Sequence, residues 1–333
     1  MSILYVTEYG AKICTAEGRI RVVCNNEELC SVPVENVESI TILGAVSFTS
    51  DAIKLCLMKG ISVDYMSKGG KYFGRMISNN HVNTARQRAQ AYLYQTDFSL
   101  ALAREIEGAK IHNQNVIMFR CETHHGMDFC DQREQLWKLG DKVQVSKTLP
   151  ELLGYEGTAA KIYFKAVSSC LPDEFKFERR SRRPPLDPFN ALISMGYSII
   201  FNEIYARIEA RGLNAFFGFL HQDSEKHPTL VSDLIEEWRP VLIDSLVISM
   251  IFKNEVKTDY FEYDSSTGGV YLSKSCLSMF LKKIKNRLDC SVGYLSPNGC
   301  EMSYRQLIDY QVCSLVRAIE KGDSSLYQAV RIR

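Results

Sequence analysis

The sequence lacks any hydrophobic run long enough to cross a membrane. Its longest apolar stretch, Val241 to Phe252, includes Asp244 and two serines and falls well short of the roughly 20 apolar residues that span a bilayer. The first ten residues, MSILYVTEYG, carry neither the basic stretch nor the apolar core of a signal peptide. These absences predict a cytoplasmic protein that has no membrane partner.

Paired cysteine motifs are also missing. The 11 cysteines are irregularly spaced and form no CxxC pair, which is typical of reduced thiols rather than of a disulfide framework. We predict that most of them are small core residues. The cluster of Cys121, His124, His125 and Cys130 has side chains that suit zinc, but its spacing is unlike that of a zinc finger or ribbon. A structural zinc site there is the less favoured alternative.

No charge of one sign dominates the chain, which has 40 Lys and Arg residues against 39 Asp and Glu residues. Global charge therefore neither indicates nor excludes a nucleic-acid partner. Basic residues are concentrated in KFERRSRRPP, residues 176–185, and in KKIKNR, residues 282–287. Such clusters can neutralise phosphates, but solvated surfaces carry them just as readily.

Two regions with different residue patterns follow each other along the chain. In the first, short apolar runs alternate with Gly and Asn, which predicts β-strands and one short helix at Ser50 to Lys59. After NNHVNT, where Thr84 can cap a helix, long helical segments predominate. The sequence therefore predicts an α+β fold, with a β-rich scaffold or dimerisation domain at 1–79 and a larger all-α domain at 80–333.

The helices of the second region are predicted from their apolar periodicity. They span Phe98 to Arg120, Arg133 to Leu139, Leu149 to Ser169, Pro188 to Arg211, Thr229 to Phe252, Ser273 to Lys285 and Tyr304 to Lys321. A β-hairpin is predicted where TDYFEY and GVYLSK flank the turn-rich DSSTG.

Acidic residues cluster on the predicted helix SDLIEEWRPVLIDSL. At about 100° per residue, Asp233, Glu236, Glu237 and Asp244 fall on one side, opposite the apolar residues. Periodicity alone favours a solvated acidic face. Pro240 lacks a backbone N–H, so a kink that aims nearby side chains is the alternative.

Two further segments carry candidate metal ligands. His221 ends the aromatic and glycine-rich FFGFLH, from which a loop can fold back towards the acidic helix; His227 is a solvent-facing runner-up. Glu156 lies between Gly154 and Gly157, and such small residues permit close approach of another backbone. Glu156 is expected either at a crowded helix junction, where a cation would offset its burial, or pointing to water.

Three segments occur in a specific order and spacing: GYEGTAAKIYF, then PLDPFNALISMGYSIIFNEIYARIEARGLNAFFGFLH, then SDLIEEWRPVLIDSLV. They resemble the CRISPR-associated integrase of the Cas-one family, the universal endonuclease subunit of spacer acquisition. LYVTEYGAKI, VPVENVESITILGAVSFTSDAI and GISVDYM resemble the β-rich domain of that family, and SYRQLIDYQ resembles its C-terminal helices. The resemblance covers nearly the whole chain.

The resemblance implies a metal-dependent DNA endonuclease and integrase with its catalytic domain at 80–333. Such an enzyme inserts captured foreign DNA as spacers into a CRISPR array by attack of a 3′-hydroxyl on a phosphodiester. The implied catalytic metal ligands are Glu156, His221 and Glu236, with Asp233 at a nearby acidic position. Some relatives have aspartate where Glu236 stands. Two carboxylates and an imidazole suit Mg²⁺ or Mn²⁺.

The resemblance also implies partners: a homodimer formed through the β-rich domains, the small second adaptation protein of the Cas-two family, double-stranded DNA fragments and CRISPR repeat DNA. Phosphate contacts are then expected from the first basic cluster, at Arg179, Arg180, Arg182 and Arg183. Asp244 is expected to form a structural pair with Arg239. The alternatives are a non-catalytic nucleic-acid-binding scaffold and a metal-dependent phosphoesterase for small nucleotides.

Overall fold

A computed structural model of the protein describes residues 2–67, 69–70, 72–295 and 299–333. The chain divides into two compact units, Met1–Val82 and Asn83–Arg333, so the division falls three residues after the predicted boundary at 79/80. Across the residues so described, no helix combines the length and the apolarity that crossing a membrane requires.

The first unit is β-rich. Its elements are β1 (Ser2–Val6), β2 (Lys12–Ala16), β3 (Arg19–Cys24), β4 (Glu27–Pro33), β5 (Val37–Leu43), β6 (Ser47–Phe48), α1 (Ser50–Lys59), β7 (Ser62–Met66) and β8 (Tyr72–Met76). One four-stranded sheet has the order β1-β5-β7-β8, with β8 antiparallel to β7 and the other pairs parallel. The second has the order β4-β3-β2-β6, an antiparallel meander that β6 extends in parallel.

A single apolar core joins the two sheets and the helix of this unit. Ile13 of β2, Ile40 of β5 and Cys56 of α1 belong to the same fully buried cluster. Thr49 caps α1 by accepting a hydrogen bond from the backbone of Ala52, and Gly60 ends it in the left-handed conformation. Helix α1 therefore begins and ends at the predicted residues.

The second unit is mostly helical. Its helices are α2 (Thr84–Tyr92), α3 (Asp97–His125), α4 (Cys130–Val145), α5 (Leu149–Cys170), α6 (Pro188–Ala210), α7 (Thr229–Ile235), α8 (Ser245–Phe252), α9 (Lys274–Asp289) and α10 (Tyr304–Lys321). Two small hairpins complete it: β9 (Phe261–Asp264) with β10 (Gly269–Leu272), and β11 (Ser291–Val292) with β12 (Met302–Ser303).

The predicted α+β fold class is confirmed, and the β9–β10 hairpin lies where TDYFEY and GVYLSK predict it. The predicted cap of α2 is wrong by one residue. Asn83, not Thr84, is the capping residue, and its side chain accepts a hydrogen bond from the backbone of Arg86. Both side chains suit a helix N-terminus, so the pattern alone could not separate two adjacent candidates.

The predicted helix from Thr229 to Phe252 is interrupted. Helix α7 ends at Ile235, and a π-helical segment, Arg239–Asp244, precedes α8. Pro240 cannot donate to the carbonyl group of Glu236, the usual partner four residues earlier, so the helix widens here. The structural effect of Pro240 is thus a change of helical register that begins beside Glu236.

Candidate active site

Helices α3 and α5 and the turn after α7 bring three charged side chains together. Lys110 on α3 is the central residue, with its side chain only 7% exposed. Its Nζ atom lies 2.6 Å from Glu156 Oε1 on α5 and 2.7 Å from Glu236 Oε2 after α7. Two of the three predicted metal ligands therefore converge on one ammonium group, which the sequence analysis did not single out.

A third carboxylate faces the same ammonium group. Glu107 Oε2, one turn earlier on α3, lies 3.3 Å from Lys110 Nζ and is buried. Burial opposes the charge on Lys110, but Glu107, Glu236 and Glu156 together raise its pKa above the ordinary value. The pKa of Glu107 is itself raised to about 8, mainly by burial. Lys110 therefore keeps its proton at neutral pH, whereas Glu107 is mostly protonated.

Glu236 is buried and is held by two cations. Its Oε1 atom lies 2.9 Å from Arg239 Nη1, in addition to the contact of Oε2 with Lys110. Burial opposes ionisation of Glu236, but Arg239 and Lys110 outweigh it and lower its pKa to about 2. Glu236 is therefore a carboxylate at neutral pH.

His221 approaches Glu236 from the opposite side. Its Nε2 atom lies 4.0 Å from Glu236 Oε1, while its Nδ1 atom lies 2.8 Å from Asp233 Oδ1. Since a carboxylate only accepts hydrogen bonds, Nδ1 carries the proton and Nε2 presents its lone pair in the neutral ring. Burial lowers the pKa of His221, but Asp233 reverses this effect and raises it. His221 is thus oriented with a free ligand atom beside Glu236.

Asp233 is fully buried and organises the turn that carries His221. Its oxygens accept hydrogen bonds from the backbone N–H groups of Phe219, Leu220 and His221 at 2.6, 3.0 and 3.0 Å. Gly218 makes this approach possible, because a Cβ atom there would lie 2.9 Å from Asp233 Oδ2. Asp233 therefore positions His221 rather than facing Lys110.

Glu237, next to Glu236, is held by a segment that follows α10. The OH group of Tyr327 donates to one oxygen, and the backbone N–H of Val330 donates to the other at 2.6 Å. Asn113 on α3 donates to the carbonyl oxygens of Glu237 and Val330 at 3.0 and 2.9 Å. Burial raises the pKa of Glu237 to about 8, against the effect of these donors. We refer to residues 327–332 as the closing segment.

Asp244 belongs to a separate buried network. It accepts hydrogen bonds from the OH groups of Tyr163 on α5 and Tyr197 on α6. Burial raises its pKa to about 6, although the tyrosine hydroxyls oppose this. The expected structural role is therefore found, but the expected partner is wrong, because Arg239 forms its ion pair with Glu236.

The expected solvated acidic face does not form. Asp233, Glu236, Glu237 and Asp244 are all buried, and each has its own partners on a different neighbouring element. The apolar residues of this stretch, such as Trp238, are buried as well. Packing on every side, together with the π-helical segment, overrides the amphipathic pattern.

Glu156 neither sits at a crowded junction nor points freely to water. Its side chain is 22% exposed and directed at Lys110. A Cβ atom at Gly154 or Gly157 would meet no atom within 4 Å, so these glycines leave open space around Glu156 instead of admitting a helix. His227, the runner-up ligand, lies 2.7 Å from Ser232 Oγ and stacks on Phe201, and is only partly solvent-facing.

The first basic cluster divides into two parts. Arg179, Arg182 and Arg183 are exposed, whereas the Arg180 guanidinium donates to Asn190 Oδ1 and Ser194 Oγ at 2.7 and 3.0 Å. Burial lowers the pKa of Arg180 to about 10. The inward hydrogen bonds give Arg180 a structural role, so only its three neighbours are free to contact a phosphate.

The second basic cluster divides in the same way. Lys282 and Lys285 are exposed, whereas Lys283 pairs with Glu255 at 2.9 Å. Arg287 donates to the carbonyl oxygen of Val241 at 3.1 Å. Half of this cluster therefore stabilises the packing of α9.

The cysteine-rich cluster is not assembled as a zinc site. Cys121 is buried, and the neighbouring Cys170 and burial raise the pKa of its thiol; His125 stacks on Phe252 with ring centroids 3.4 Å apart. Cys130 is exposed at the start of α4. All 11 thiols are free, as predicted, but only four of them are buried, so the prediction that most are core residues is wrong.

Within the described ranges, no three His, Cys, Asp or Glu side chains are gathered closely enough to hold a metal ion as they stand. At the predicted centre the Lys110 ammonium group lies between the carboxylates. The ammonium group nevertheless marks a position for a cation, because Glu156 Oε1 and Glu236 Oε2 both point at it, and the buried Glu107 Oε2 beside it accepts no hydrogen bond. The donor chemistry of the site fits a hard divalent ion.

The chain is similar to known proteins over nearly its whole length. The family described as CRISPR associated protein Cas1 matches residues 4–286. The chain is 35% identical over 325 residues to the CRISPR-associated endonuclease Cas1 of Mycobacterium tuberculosis, covering 97% of this chain and 95% of that relative. It is 31% identical over 337 residues to CRISPR-associated endonuclease Cas1 3 of Thermus thermophilus, covering 100% and 98%.

A solved structure of a Cas6-RT-Cas1–Cas2 complex superposes with a TM-score of 0.88 at 26% identity, covering all of this chain and 36% of that one. The family resemblance seen in the ordered motifs is thereby confirmed. The chain belongs to the CRISPR-associated protein Cas1 family.

Proposed function

We propose that the protein is a metal-dependent DNA endonuclease and integrase that inserts captured DNA fragments into a CRISPR array. Attack of a 3′-hydroxyl group on a phosphodiester would join the fragment, and attack of water would cut the strand. The observation that carries the proposal is the convergence of Glu156 and Glu236 on one buried ammonium group, with His221 Nε2 4.0 Å from Glu236 Oε1. The names of relatives that are 35% and 31% identical support a nuclease.

Glu156, Glu236 and His221 would hold Mg²⁺ or Mn²⁺, since two carboxylates and an imidazole leave positions for water and phosphate oxygens. When bound, such an ion polarises the phosphodiester and lowers the pKa of the attacking water or hydroxyl group. Asp233 keeps the proton of His221 on Nδ1, so that Nε2 remains a lone-pair donor. Arg239 keeps Glu236 ionised and oriented.

The proposed partners are DNA, a second copy of the chain and the Cas2 protein. DNA capture without sequence preference would rest on phosphate contacts, for which Arg179, Arg182 and Arg183 are exposed. The second copy is proposed because the family resemblance implies a homodimer formed through the β-rich unit. The structure that superposes with a TM-score of 0.88 is a Cas6-RT-Cas1–Cas2 complex, which supports Cas2 as a partner here.

The test is an integration assay with Mn²⁺, Cas2, a DNA fragment with a 3′-hydroxyl end and a repeat-bearing plasmid. Glu156→Ala, His221→Ala and Glu236→Ala should each lower joining by about a thousandfold, because each removes part of the charge stabilisation of the transition state. Glu151→Ala is the matched control, since Glu151 lies on α5 but is exposed. Full joining by the three folded variants would refute the site, and DNA binding without any product would favour a scaffold.

A further inference from the structure

Lys110 is the residue of the site to which the proposed function gives no task. Its side chain is almost completely buried, and its ammonium group contacts Glu156 and Glu236 at 2.6 and 2.7 Å. Burying an ammonium group is costly unless it is paired. The three surrounding carboxylates explain why the charge is tolerated, but they do not explain why a lysine stands between two proposed metal ligands.

We propose that Lys110 is an internal cation of the metal centre. Its ammonium group keeps Glu156 and Glu236 together in the metal-free protein, and a divalent ion binds by displacing it from these two carboxylates. The inference rests on the proposed function, because it takes Glu156 and Glu236 as metal ligands.

Occupancy of the centre by the ammonium group and by a divalent ion is mutually exclusive. Both need the inward lone pairs of Glu156 Oε1 and Glu236 Oε2. If these two carboxylates held a divalent ion, an ammonium group left at its present position would face a like charge in a poorly screened site. Displacement of Lys110 is therefore a step in metal binding.

Glu107 gives the displaced ammonium group a destination. It lies one turn before Lys110 on α3, and its Oε2 atom is 3.3 Å from Nζ and has no hydrogen-bond donor. The lysine stem is flexible and its charge is a compact point, so Nζ can move towards Glu107 while α3 stays in place. The ammonium group would then remain at the edge of the centre.

Metal affinity should therefore rise when Lys110 loses its charge. Lys110→Met keeps the length of the side chain but removes both the competing cation and its attraction for the carboxylates. We expect the Kd for Mn²⁺ to fall about tenfold or more, the order of effect that one adjacent unit charge has on a carboxylate equilibrium. The same variant should unfold at a lower temperature in EDTA, and Mn²⁺ should reverse that loss.

Calorimetric titration of the full chain with Mn²⁺ alone tests this inference. Lys161→Met is the matched control, because Lys161 is exposed on α5 and its replacement changes the net charge equally; its Kd should equal that of the wild type. Lys110→Arg retains the charge and should bind Mn²⁺ no more tightly than the wild type. Glu156→Ala reports separately on the proposed ligands.

The outcomes separate the two proposals. If the wild type binds Mn²⁺ and Glu156→Ala weakens that binding, but Lys110→Met binds no more tightly, displacement of Lys110 is wrong and the ligand assignment stands. If Lys110→Arg and Lys110→Met lower the Kd for Mn²⁺ equally, the displacement of Lys110 is also wrong, because arginine retains the charge. If the wild type binds no Mn²⁺, both proposals fail. If Lys110→Met folds only when Mn²⁺ is added, that dependence supports the displacement of Lys110. If Lys110→Arg binds Mn²⁺ more tightly than the wild type, the displacement is wrong.

Discussion

The Asp233→Asn substitution tests how the site controls the imidazole of His221. Asp233 Oδ1 accepts from the backbone N–H and Nδ1 of His221, and Oδ2 accepts from the backbone N–H groups of Phe219 and Leu220. Asparagine has almost the same shape but only one acceptor oxygen. One pair of these donors must therefore face an NH₂ group.

The expected loss of stability follows from the two possible orientations of the new amide group. If its oxygen faces Phe219 and Leu220, the NH₂ group faces His221, whose ring changes tautomer and places the proton on Nε2. If the amide is reversed, two buried backbone donors are left unsatisfied, each at about 1–3 kcal/mol. The first orientation costs less, because only the backbone N–H of His221 then lacks an acceptor, so we expect a loss of about 1–3 kcal/mol in the free energy of unfolding. Because the first orientation removes the lone pair of Nε2, Mn²⁺ affinity should fall about 10- to 100-fold.

Urea unfolding in EDTA measures the stability, and calorimetric titration measures the affinity for Mn²⁺. Asp244→Asn is the matched control, because Asp244 is equally buried but accepts only from tyrosine hydroxyls, which can rotate to accept from an amide. It should leave Mn²⁺ affinity unchanged. If Asp233→Asn is destabilised but binds Mn²⁺ as the wild type does, control of the His221 tautomer by Asp233 is refuted.

Three further predictions address other parts of the second unit. Raising the pH from about 4 to about 6 should lower the free energy of unfolding of the wild type by about 2 kcal/mol more than that of Asp244→Asn. The reason is that burial raises the pKa of Asp244 to about 6, so the folded state retains a proton that the unfolded state has released; parallel urea curves at each pH would contradict this. Deleting residues 328–333 should lower the free energy of unfolding by about 2–6 kcal/mol, because the buried Glu237 and Asn113 side chains both lose backbone partners, at about 1–3 kcal/mol each; an unchanged midpoint in the same urea assay would contradict this. Replacing Arg182 and Arg183 together by alanine should reduce the slope of log K against log salt concentration for DNA binding by about 2; an unchanged slope would remove both from the interface.

Local patterns predicted the elements of the fold well. Helix α1 runs from Ser50 to Lys59 as predicted, because its cap, its apolar spacing and its terminal glycine all favour the same bounds. Several of the long helices extend beyond their predicted bounds. Helix α3, for example, continues five residues beyond the predicted end at Arg120, to His125. Helix ends depend on single turns, for which the apolar period gives little information.

The acidic stretch shows where a local pattern is insufficient. A helical projection assumes one continuous helix with one exposed side, whereas Pro240 introduces a π-helical segment. Elements distant in sequence bury the side that the projection leaves exposed. Asn113 of α3 binds the Glu237 carbonyl group, and Tyr327 and Val330 of the closing segment bind the Glu237 carboxyl group. The order of family motifs pointed to Glu236 and Glu156 as metal ligands, which stays a prediction, and it could not supply these contacts.

Lys110 and Glu107 were missed altogether. Their signal in the sequence is weak but present, because both charges interrupt an apolar stripe that includes Ala103, Ile106 and Ile117, all buried on α3. A lone charge in such a stripe is uninformative unless its partners are known. Those partners lie on α5 and after α7, and only the tertiary structure brings them together.

The closing segment has a consequence for the order in which the protein matures. Val330 holds Glu237 across 93 residues of chain, and Ile332 binds Asn113 across 219. Contacts of such long range form late, because the chain between them must be ordered first. During synthesis the helical unit can collapse early, but Glu237 lacks its support until residues 327–332 have left the ribosome. The packing around Glu237, next to the proposed ligand Glu236, is therefore among the last parts of the helical unit to form.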